Sequence, residues 1–376
     1  MSAARPSPSS ALFGSPEYTS VSRALGELQA RRPITINAPG EELFLLPIEG
    51  LNDERLADFL SLCRPAMPDL IITQQRALAL GLAATAPMAI RLPDGLNAGE
   101  IINLVAERRN DTSAVGQTAS PASAAAIQLI KLTRSLPAVL AANMIGRDIG
   151  LSHSVVAAGA EAIGRFAVDA TSSLAVASEA LVPLASGVSA RFIVFCDATG
   201  TDQVAIIVGQ PDFTKPVPVR LHSACLTGDV FGSRRCDCGD QLALALTRVE
   251  SLGGGVILYL AQEGRGLGLA NKMRTYRLQD AGLDTFDANI TLGFDDDERD
   301  YGVAARMLQI LNCSRILLLT NNPAKLDGLA QAGIEIADRI PLEAPINAHN
   351  KRYLTTKAAR SGHQLLSVRT LASEKS

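Results

Sequence analysis

Late in the chain, apolar stretches of strand length are followed by short polar turns and helical patterns, and this order occurs twice. The stretch "GGGVILYLAQ" (253–262) is an apolar run of strand length, and the glycine-rich turn "EGRGLGLANK" (263–272) and a helical pattern follow it. "SRILLLT" (314–320) repeats this order, and we expect Asn322 to cap the next helix with Pro323 at its first position. Such units build α/β layers, and they place ligands at the carboxyl ends of the strands, beside helix N-termini.

The chain has 376 residues, which is long for a single core and predicts two domains. Strand-like and helix-like pieces also alternate in its first half, so the predicted fold class is α/β (α+β). We predict an N-terminal domain over residues 20–172 and a C-terminal domain over 173–376. The stretch 172–190 has no firm period and would join the domains, and the Ser- and Pro-rich residues 1–19 would form a disordered tail.

Composition limits the partners and the compartment. A net charge of −3 and an aromatic content of 4% argue against a chain-wide nucleic-acid surface, although a local cationic pocket is compatible with both. The most apolar stretch, "ALALGLAATAPMAI" (77–90), is shorter than the roughly 20 residues that span a bilayer, and residues 1–20 hold no apolar signal region. We therefore predict a cytoplasmic protein, in which clustered cysteines favour metal binding or catalysis over disulfides.

Three of the six cysteines lie at positions 225, 236 and 238, within the stretch "HSACLTGDVFGSRRCDCGDQL" (222–242). A structural zinc site has four ligands and usually pairs two C-x2–4-C clips, whereas this stretch offers one C-x-C and one distant thiol. Three thiolates suit a catalytic zinc, which keeps its fourth position for a water molecule with a pKa of about 7. Two other interpretations stay open: thiols packed as small apolar side chains, and a structural site that His222 closes.

The glycine-rich turn continues into a helical stretch in "QEGRGLGLANKMRTYRLQD" (262–280). Its glycine spacing does not match the dinucleotide or P-loop fingerprints, but its backbone N–H groups could approach phosphates, with Arg265 and Lys272 supplying charge. A plain turn before a solvated basic helix face is equally compatible with this pattern, and Tyr276 could be a packing residue.

An acidic run precedes an amphipathic helical pattern in "LGFDDDERDYGVAARMLQIL" (292–311). Such a run is often only compensation of the helix dipole at the N-terminus. Arg299 is less expected within it, because its positive charge opposes that dipole.

Taken in order, the cysteine stretch, "QEGRGLGLANK", "YRLQD", "LGFDDDERDY" and "LLLTNNPAKL" resemble the GTP cyclohydrolase II family over about residues 173–365. The resemblance implies a mixed sheet with flanking helices and a hydrolysis of GTP that opens its imidazole ring. The products would be 2,5-diamino-6-(5-phospho-ribosylamino)pyrimidin-4-one, formate and pyrophosphate, in the first step of riboflavin biosynthesis. The enzyme would be a homodimer with GTP as substrate, and neither nucleic acid nor membrane would be a partner.

The resemblance also implies ligands and substrate contacts. Cys225, Cys236 and Cys238 would hold one Zn2+ per subunit, and Mg2+ could accompany the triphosphate. The implied substrate contacts are Arg220, Leu221, His222, Ser223, Ala224, Gln241, Glu263, Gly264, Arg265, Thr285, Thr320 and Lys325. The three cations in this set would offset the charge of the triphosphate, roughly −4.

Three residues would take part in catalysis: Tyr276 near the reacting base, Asp297 as a proton acceptor, and Arg299, which matches the family's proposed nucleophile toward the α-phosphate. A guanidinium stays protonated, so we expect Arg299 to clamp phosphate and to stabilise transition-state charge instead. The chain differs from better-known members at Ala224, where they carry Glu, and at Leu260-Ala261, where they carry a His-Arg pair. These differences leave open a related zinc enzyme for another nucleotide, and a non-enzymatic zinc module is the remaining alternative.

The N-terminal half resembles 3,4-dihydroxy-2-butanone 4-phosphate synthase in "SRALGELQARRPITI", "DLIITQQRALALGL" and "AAAIQLIKLTRSLPAVLAANM". That family uses an acid-rich loop and a His-Thr-Glu element to bind Mg2+ and to abstract protons. Here the loop "NAPGEELFLL" (37–46) offers only Glu41 and Glu42, and the second element reads "QTASPASAAA" (117–126). Because these ligands are missing, we predict a domain without catalysis that serves packing, dimerisation or regulation.

Overall fold

The computed structural model describes residues 14–108, 115–147 and 154–344. Contacts divide the chain into two compact units, Met1–Asp169 with Ala270–Asp295 and Ala170–Leu269 with Asp296–Ser376. Each unit holds a seven-stranded sheet together with helices, which confirms the predicted fold class. The sequence-based boundary at 172/173 leaves residues 270–295 in the C-terminal domain, whereas their contacts group them with the first unit.

The described residues form fourteen strands and eleven α-helices. The strands are β1 Ile34–Ala38, β2 Glu41–Pro47, β3 Asp69–Ile72, β4 Met88–Arg91, β5 Gly116–Thr118, β6 Ala138–Asn143, β7 Val156–Gly159, β8 Ala175–Pro183, β9 Ser189–Cys196, β10 Asp202–Gly209, β11 Val217–Ser223, β12 Gly254–Leu260, β13 Arg315–Leu319 and β14 Glu335–Ile340. The helices are α1 Pro16–Gln29, α2 Asp53–Cys63, α3 Gln74–Ala79, α4 Ala98–Ala106, α5 Pro121–Leu132, α6 Ala160–Ser172, α7 Cys238–Ser251, α8 Leu269–Asp280, α9 Thr285–Thr291, α10 Gly302–Ile310 and α11 Pro323–Gln331. Two short helical turns are Leu226–Val230 and Glu263–Gly266.

The sheet of the first unit has the strand order β5-β4-β3-β6-β2-β1-β7. Its neighbouring strands are antiparallel except for β1 and β7, which run parallel. Helix α5 packs against the central strands β1, β2, β3 and β6, and its Leu129 and Ile130 are buried there. The stretch 37–46, treated as a loop on sequence grounds, is mostly the β1–β2 hairpin, because its apolar residues are buried in this sheet.

The sheet of the second unit has the order β14-β13-β11-β12-β10-β9-β8. The first four strands in this order are parallel, and β10, β9 and β8 continue it antiparallel, which makes the sheet mixed. Its two faces are covered by separate apolar clusters. One joins β11, β12 and β13 to α10 and α11 through residues such as Val256 and Met307, and the other packs Ile257 against Ala245 and Val249 of α7.

The predicted strand–turn–helix units are confirmed, and α11 begins at Pro323 with the side chain of Asn322 accepting the N–H of Ala324 at 3.1 Å. The stretch 172–190 instead contains the edge strand β8, which is antiparallel to β9. It lacks an apolar period because it is exposed along nearly its whole length. Within the predicted tail, residues 1–13 lie outside the described residues, whereas α1 already begins at Pro16. In the described part of the chain, every helix is too short or too polar to cross a membrane.

Candidate active site

The candidate site lies at one edge of the second unit's sheet, where the parallel strands β11, β12 and β13 end. Ser223 at the end of β11 pairs with Leu260 at the end of β12, so both strands stop at the same level. Val219 of β11 pairs with Leu318 of β13, which brings the third strand end to the same edge. This edge therefore collects the cysteine stretch, the glycine-rich turn and the "TNN" turn, which are distant from one another in the sequence.

The thiols of Cys225, Cys236 and Cys238 form one cluster, in which the three Sγ atoms lie within 4.8 Å of one another. Cys225 follows β11, and the other two cysteines flank Asp237, the N-cap residue of α7. All three are free thiols, and the Sγ atoms of Cys225 and Cys236 are 3.7 Å apart. Gly228 leaves room for the cluster, because a Cβ there would lie 2.9 Å from the Cys236 sulfur and 3.0 Å from the Cys225 sulfur.

The chemistry of the three thiols fits a divalent cation. The adjacent Cys225 thiol is the main cause that raises the pKa of Cys236, and burial adds to it. Cys225 and Cys236 together, followed by burial, raise the pKa of Cys238 well above its ordinary value. Three adjacent thiols therefore resist ionising together unless a cation compensates them, and soft thiolate ligands select zinc among the common divalent ions. These contacts do not support thiols that merely pack as apolar side chains.

His222 does not close the cluster as a fourth ligand. Within the described ranges, no histidine nitrogen or carboxylate oxygen joins the three sulfur atoms within 4.8 Å. The His222 ring stacks on Tyr259 with centroids 5.6 Å apart, and its Nε2 faces a carboxylate oxygen of Asp229 at 3.1 Å. Burial lowers the pKa of His222 although Asp229 opposes this effect, so the ring is neutral at neutral pH and Nε2 carries the proton that it donates.

Asp229 is a buried acceptor that the sequence reasoning missed. Its side chain is 3% exposed, and it receives three donors: the N–H of Cys225 at 2.9 Å, the hydroxyl of Tyr259 at 2.9 Å and His222 Nε2. Burial and the nearby Asp229 carboxylate raise the pKa of Tyr259, so its hydroxyl keeps the donated proton. Asp229 therefore ties the first cysteine to the ends of two strands. The signal in the sequence was an acid four residues after Cys225, the first cysteine of the cluster.

Four buried polar atoms at this edge have no hydrogen-bond partner among the described residues. They belong to Arg220 (Nε), His222 (Nδ1), Ser223 (Oγ) and Gln262 (Oε1). Buried polar atoms are nearly always paired in folded proteins, because an unpaired one costs about 1–3 kcal/mol. Four such atoms near the ends of the paired strands β11 and β12 are suited to binding a polar ligand.

Arg220 and Gln241 form a buried network beside the thiols. The Arg220 guanidinium donates to the carbonyl of Leu319 at 3.0 Å and to the side-chain oxygen of Gln241, whose amide in turn donates to Asp237. Burial lowers the pKa of Arg220 to about 10, with the Asp237 charge acting in the opposite direction. The positive charge of Arg299 also lowers this pKa.

Lys325 and Thr320 come from the third loop. The Lys325 ammonium is buried and donates to the carbonyl of Leu221 at 2.7 Å, so it lies directly against β11. The hydroxyl of Thr320 is buried as well and accepts the N–H of Asn322 at 3.0 Å. The structure therefore brings both predicted substrate residues to the edge that carries Arg220.

The glycine-rich turn is fixed on both sides. A carboxylate oxygen of Glu263 accepts the N–H of Leu226 at 2.7 Å. This hydrogen bond links the turn to the cysteine stretch. Gly264 and Arg265 both have a φ of 63°, and the Arg265 guanidinium pairs with the carboxylate of Asp296 at 2.6 Å. The carbonyl of Arg265 accepts the N–H of Glu298 at 3.1 Å, so the acidic run is bound to this turn.

Arg299 and Asp297 form a two-point ion pair. Arg299 donates from Nε to Asp297 at 2.7 Å and from a terminal nitrogen to the other carboxylate oxygen, and Tyr301 donates to the same carboxylate at 3.2 Å. Burial alone would raise the pKa of Asp297, but the contacts with Arg299 outweigh it and the pKa is lowered. Asp297 is therefore an ionised carboxylate at neutral pH. The acidic run thus does more than compensate a helix dipole.

The remaining predicted positions at this edge carry small or apolar side chains. Ala224 donates its N–H to the carbonyl of Leu260 at 2.8 Å, and Ala261 donates its N–H to the side-chain oxygen of Gln203 at 2.8 Å. The backbone of both positions is thus held by the neighbouring strands. The side chains of Ala224, Leu260 and Ala261 bring no polar group to the site.

Two predicted site residues lie in the segment that belongs to the first unit. Tyr276 is on α8, where the Lys272 ammonium lies 5.9 Å from its ring centroid. Thr285 is the first residue of α9, and its hydroxyl accepts from the side-chain amide of Gln279 at 2.9 Å.

Twelve of the residues assigned from sequence share the edge of one sheet, together with a thiol cluster and buried cations. They are Arg220, Leu221, His222, Ser223, Ala224, Cys225, Cys236, Cys238, Gln241, Glu263, Thr320 and Lys325. An α/β unit with such an edge is of the class that binds anionic small molecules at its strand ends, with a place for a metal ion.

Comparison with known proteins gives the family within this class. Residues 175–341 match the sequence model of the family GTP cyclohydrolase II. A GTP cyclohydrolase-2 from Azospirillum brasilense is 42% identical over 313 residues, which cover 79% of this chain and 81% of that protein. A GTP cyclohydrolase-2 from Xylella fastidiosa (strain 9a5c) is 39% identical over 364 residues, or 94% of this chain and 89% of that protein. The chain belongs to the GTP cyclohydrolase II family of enzymes, which confirms the resemblance.

Two further similarities concern proteins with other names. The riboflavin biosynthesis protein RibBA of Porphyromonas gingivalis is 49% identical over 172 residues, which are 46% of this chain and 42% of that protein. The crystal structure of RibBX, a two-domain 3,4-dihydroxy-2-butanone 4-phosphate synthase from A. baumannii, covers 86% of this chain and 99% of that chain, with a TM-score of 0.34 and 14% identity. A similarity at that TM-score adds nothing to the fold described above.

Proposed function

We propose that this protein hydrolyses GTP with opening of the imidazole ring, releasing formate and pyrophosphate and leaving 2,5-diamino-6-(5-phospho-ribosylamino)pyrimidin-4-one. Membership of the family supports cyclohydrolase activity in riboflavin biosynthesis. The observation that carries the proposal is the presence, at one sheet edge, of a three-thiol cluster and of four buried polar atoms that have no partner in the described part of the chain. The first suits a metal ion and the second suits a polar nucleotide.

The metal site would consist of Cys225, Cys236 and Cys238 holding one Zn2+. A bound zinc ion would activate water at neutral pH and act as a Lewis acid. The chain's own part is to hold three sulfur atoms within 4.8 Å of one another at a strand end and a helix start. Gly228 makes this spacing possible, and Asp229 fixes the backbone of Cys225.

The buried cations would bind the triphosphate, with Mg2+ as a possible companion of the nucleotide. Arg220 and Lys325 are already removed from water and held by carbonyl groups, so they would meet an anion without a large loss of hydration. Arg265 would contribute from the glycine-rich turn. This charge is local, which agrees with a chain whose net charge is −3.

Arg299 and Asp297 would act on the α-phosphate and the transferred proton. The Arg299 guanidinium stays protonated and is held rigidly by the two-point contact with Asp297, so its role would be to stabilise developing negative charge and not to attack. Asp297 is ionised and would accept a proton. Tyr276 would lie near the base and Thr285 would contact the nucleotide, as the family resemblance implies.

The N-terminal domain would have no catalytic role of its own. Glu41, one of the two acids in its hairpin, accepts the N–H of Ala122 at the start of α5, and the stretch 117–126 supplies no histidine or acid nearby. A divalent metal that needs several oxygen ligands would not find them in this set. We expect a homodimer acting in the cytoplasm, and sedimentation of the purified protein would test the dimer.

The decisive test of the proposed function is the Cys236→Ser variant. It should lose bound zinc and release formate from GTP at less than about 1% of the wild-type rate, because a serine hydroxyl is a poor zinc ligand. The matched control is Cys196→Ser, which replaces a half-buried cysteine on β9 that lies outside the three-thiol cluster. This variant should keep both zinc and activity. Full formate release by folded Cys236→Ser would contradict the proposal.

A second candidate is a related ring-opening reaction on another nucleotide. The observation that favours it is that Ala224, Leu260 and Ala261 bring no polar side chain to the site. Incubation with GTP, UTP and their monophosphates would separate the two candidates. Formate release from GTP alone supports the first, and preferential turnover of another nucleotide supports the second.

A further inference from the structure

Residues 270–295 form an excursion of the chain that carries Tyr276 and Thr285. The excursion leaves the second unit after the glycine-rich turn and returns at the acidic run. These two segments are bound to each other, because the N–H of Glu298 donates to the carbonyl of Arg265 at 3.1 Å. A Cβ at Gly266 would also lie 2.8 Å from the Glu298 carbonyl oxygen. Both ends of the excursion are thus anchored in residues of the candidate site.

The body of the excursion is anchored in the first unit by a buried arginine. Arg76 of α3 is 1% exposed and donates to three backbone carbonyls: Thr291 at 2.6 Å, Leu104 at 2.9 Å and Glu107 at 2.8 Å. Thr291 is the last residue of α9, and Leu104 lies in the last turn of α4. A cation at two helix C-termini satisfies carbonyls that lack partners within the helices and opposes the negative ends of their dipoles.

Polar contacts of the other helix of the excursion reinforce this attachment. Arg274 of α8 pairs with Glu49 at 2.7 Å, and both side chains are about one quarter exposed, 24% and 21%. Arg277 pairs with Glu107, and the side-chain amide of Asn271 donates to the carbonyl of Arg134 at 2.9 Å. All these partners belong to the N-terminal part of the sequence.

The return of the excursion is packed as closely. Asp295 pairs with Lys131 at 3.6 Å and accepts from the side-chain amide of Gln75. Gly293 has a φ of +87°, and a Cβ there would lie 2.8 Å from the hydroxyl of Thr73. The first unit therefore holds the excursion at its start, along α9 and at its end.

We propose that the first unit is a docking platform that positions the excursion for GTP binding, with Arg76 and the Arg274–Glu49 pair as positioning residues. This role rests on the proposed function, and it would give a task to a domain for which the sequence predicts no catalysis of its own. The platform takes a segment of its own chain as its partner. Loosening the excursion would free Tyr276 and Thr285 to move, so the KM for GTP would rise more than kcat would fall.

The experiment uses charge reversal in the full-length protein. Arg274→Glu should raise the KM for GTP about tenfold, because it places two carboxylates together, while the zinc content stays unchanged. The double variant Glu49→Arg with Arg274→Glu restores the pair in reverse and should bring KM back to within about threefold of the wild type. The control is Arg165→Glu on α6, which reverses an exposed arginine paired with Glu161 in the same unit. Arg76→Lys should act in the same direction as Arg274→Glu, because one ammonium cannot replace the three directed guanidinium contacts.

A second readout does not depend on catalysis. Amide hydrogen exchange of peptides from 270–295 should be faster in Arg274→Glu than in Arg165→Glu, and it should return to the wild-type rate in the double variant. Exchange and KM that are the same in Arg274→Glu and the control would overturn the docking role. Failure of the folded double variant to restore slow exchange would also overturn it. A wild-type protein that released no formate from GTP would refute the proposed function, and the exchange rates would still decide the docking.

Discussion

Replacing Asp229 by alanine should weaken zinc binding while the chain still folds. The carboxylate of Asp229 is buried and accepts from the N–H of Cys225, the Tyr259 hydroxyl and His222 Nε2. Alanine would leave all three donors without an acceptor. Because the N–H of Cys225 is among them, the loss acts directly on the backbone that presents the first sulfur atom.

The magnitude follows from the number of donors. Each buried donor left unpaired lowers the free energy of unfolding by about 1–3 kcal/mol, so three such donors would lower it by roughly 3–9 kcal/mol if the losses added. Neighbouring losses do not add fully, and a water molecule could enter the gap, so we expect a value near the lower end. Supporting partners of metal ligands typically change metal affinity by about 10- to 100-fold, or about 1.4–2.8 kcal/mol. We therefore predict zinc binding weaker by this factor in Asp229→Ala.

The assay is competition for zinc with a chelator at pH 7, followed by metal analysis of the protein. Tyr259→Phe removes one donor of the three and should weaken binding less than about tenfold. The control Asp240→Ala removes an exposed acid from the first turn of α7, and it should cost only the dipole contribution of about 0.3–1 kcal/mol. If folded Asp229→Ala bound zinc as tightly as Asp240→Ala, the positioning role of Asp229 would be refuted.

Three further predictions follow from single positions. Gly228→Ala should lower the zinc content in metal analysis, because its Cβ would lie within 3.0 Å of two thiol sulfurs. Gly266→Ala should lower the free energy of unfolding in urea by about 1–3 kcal/mol more than Gly253→Ala. Both glycines have a positive φ, but only at Gly266 would the added Cβ lie 2.8 Å from a carbonyl oxygen. Equal losses in the two variants would contradict this prediction. Arg299→Gln should raise the pKa of Asp297, which Arg299 holds below its ordinary value in the wild type. The variant should therefore lose the most unfolding free energy, relative to the wild type, at neutral pH, and this loss should shrink as the pH falls through the acidic range in which Asp is protonated. Urea titrations at several pH values would measure it. A loss independent of pH would contradict the last prediction.

The parts of the fold that could be predicted from sequence are those encoded locally. The apolar run of β12 and the cap of α11 by Asn322 depend on residues that are adjacent in the chain. The grouping of the three cysteines at one site was also predictable, because the spacing allows a strand end and a helix start to meet. Local patterns of this kind persist in a fold when the local preference and the tertiary contacts favour the same structure.

The features that sequence reasoning could not give depend on distant contacts. The role of Asp229 arises from Tyr259 on the neighbouring strand, and nothing near Asp229 in the sequence announces that partner. The attachment of α9 to Arg76 joins residues more than two hundred positions apart. The edge strand β8 has no apolar alternation because both of its faces are largely exposed, so its pairing with β9 leaves no periodic signal.

Release of formate from GTP labelled at C8, measured together with pyrophosphate on the same purified protein, tests the proposed reaction as a whole. We expect labelled formate and pyrophosphate in equal amounts, loss of both after a chelator removes zinc, and recovery of both when Zn2+ is added back. Pyrophosphate without labelled formate, or formate release that persists after zinc removal, would contradict the proposed zinc-dependent ring opening.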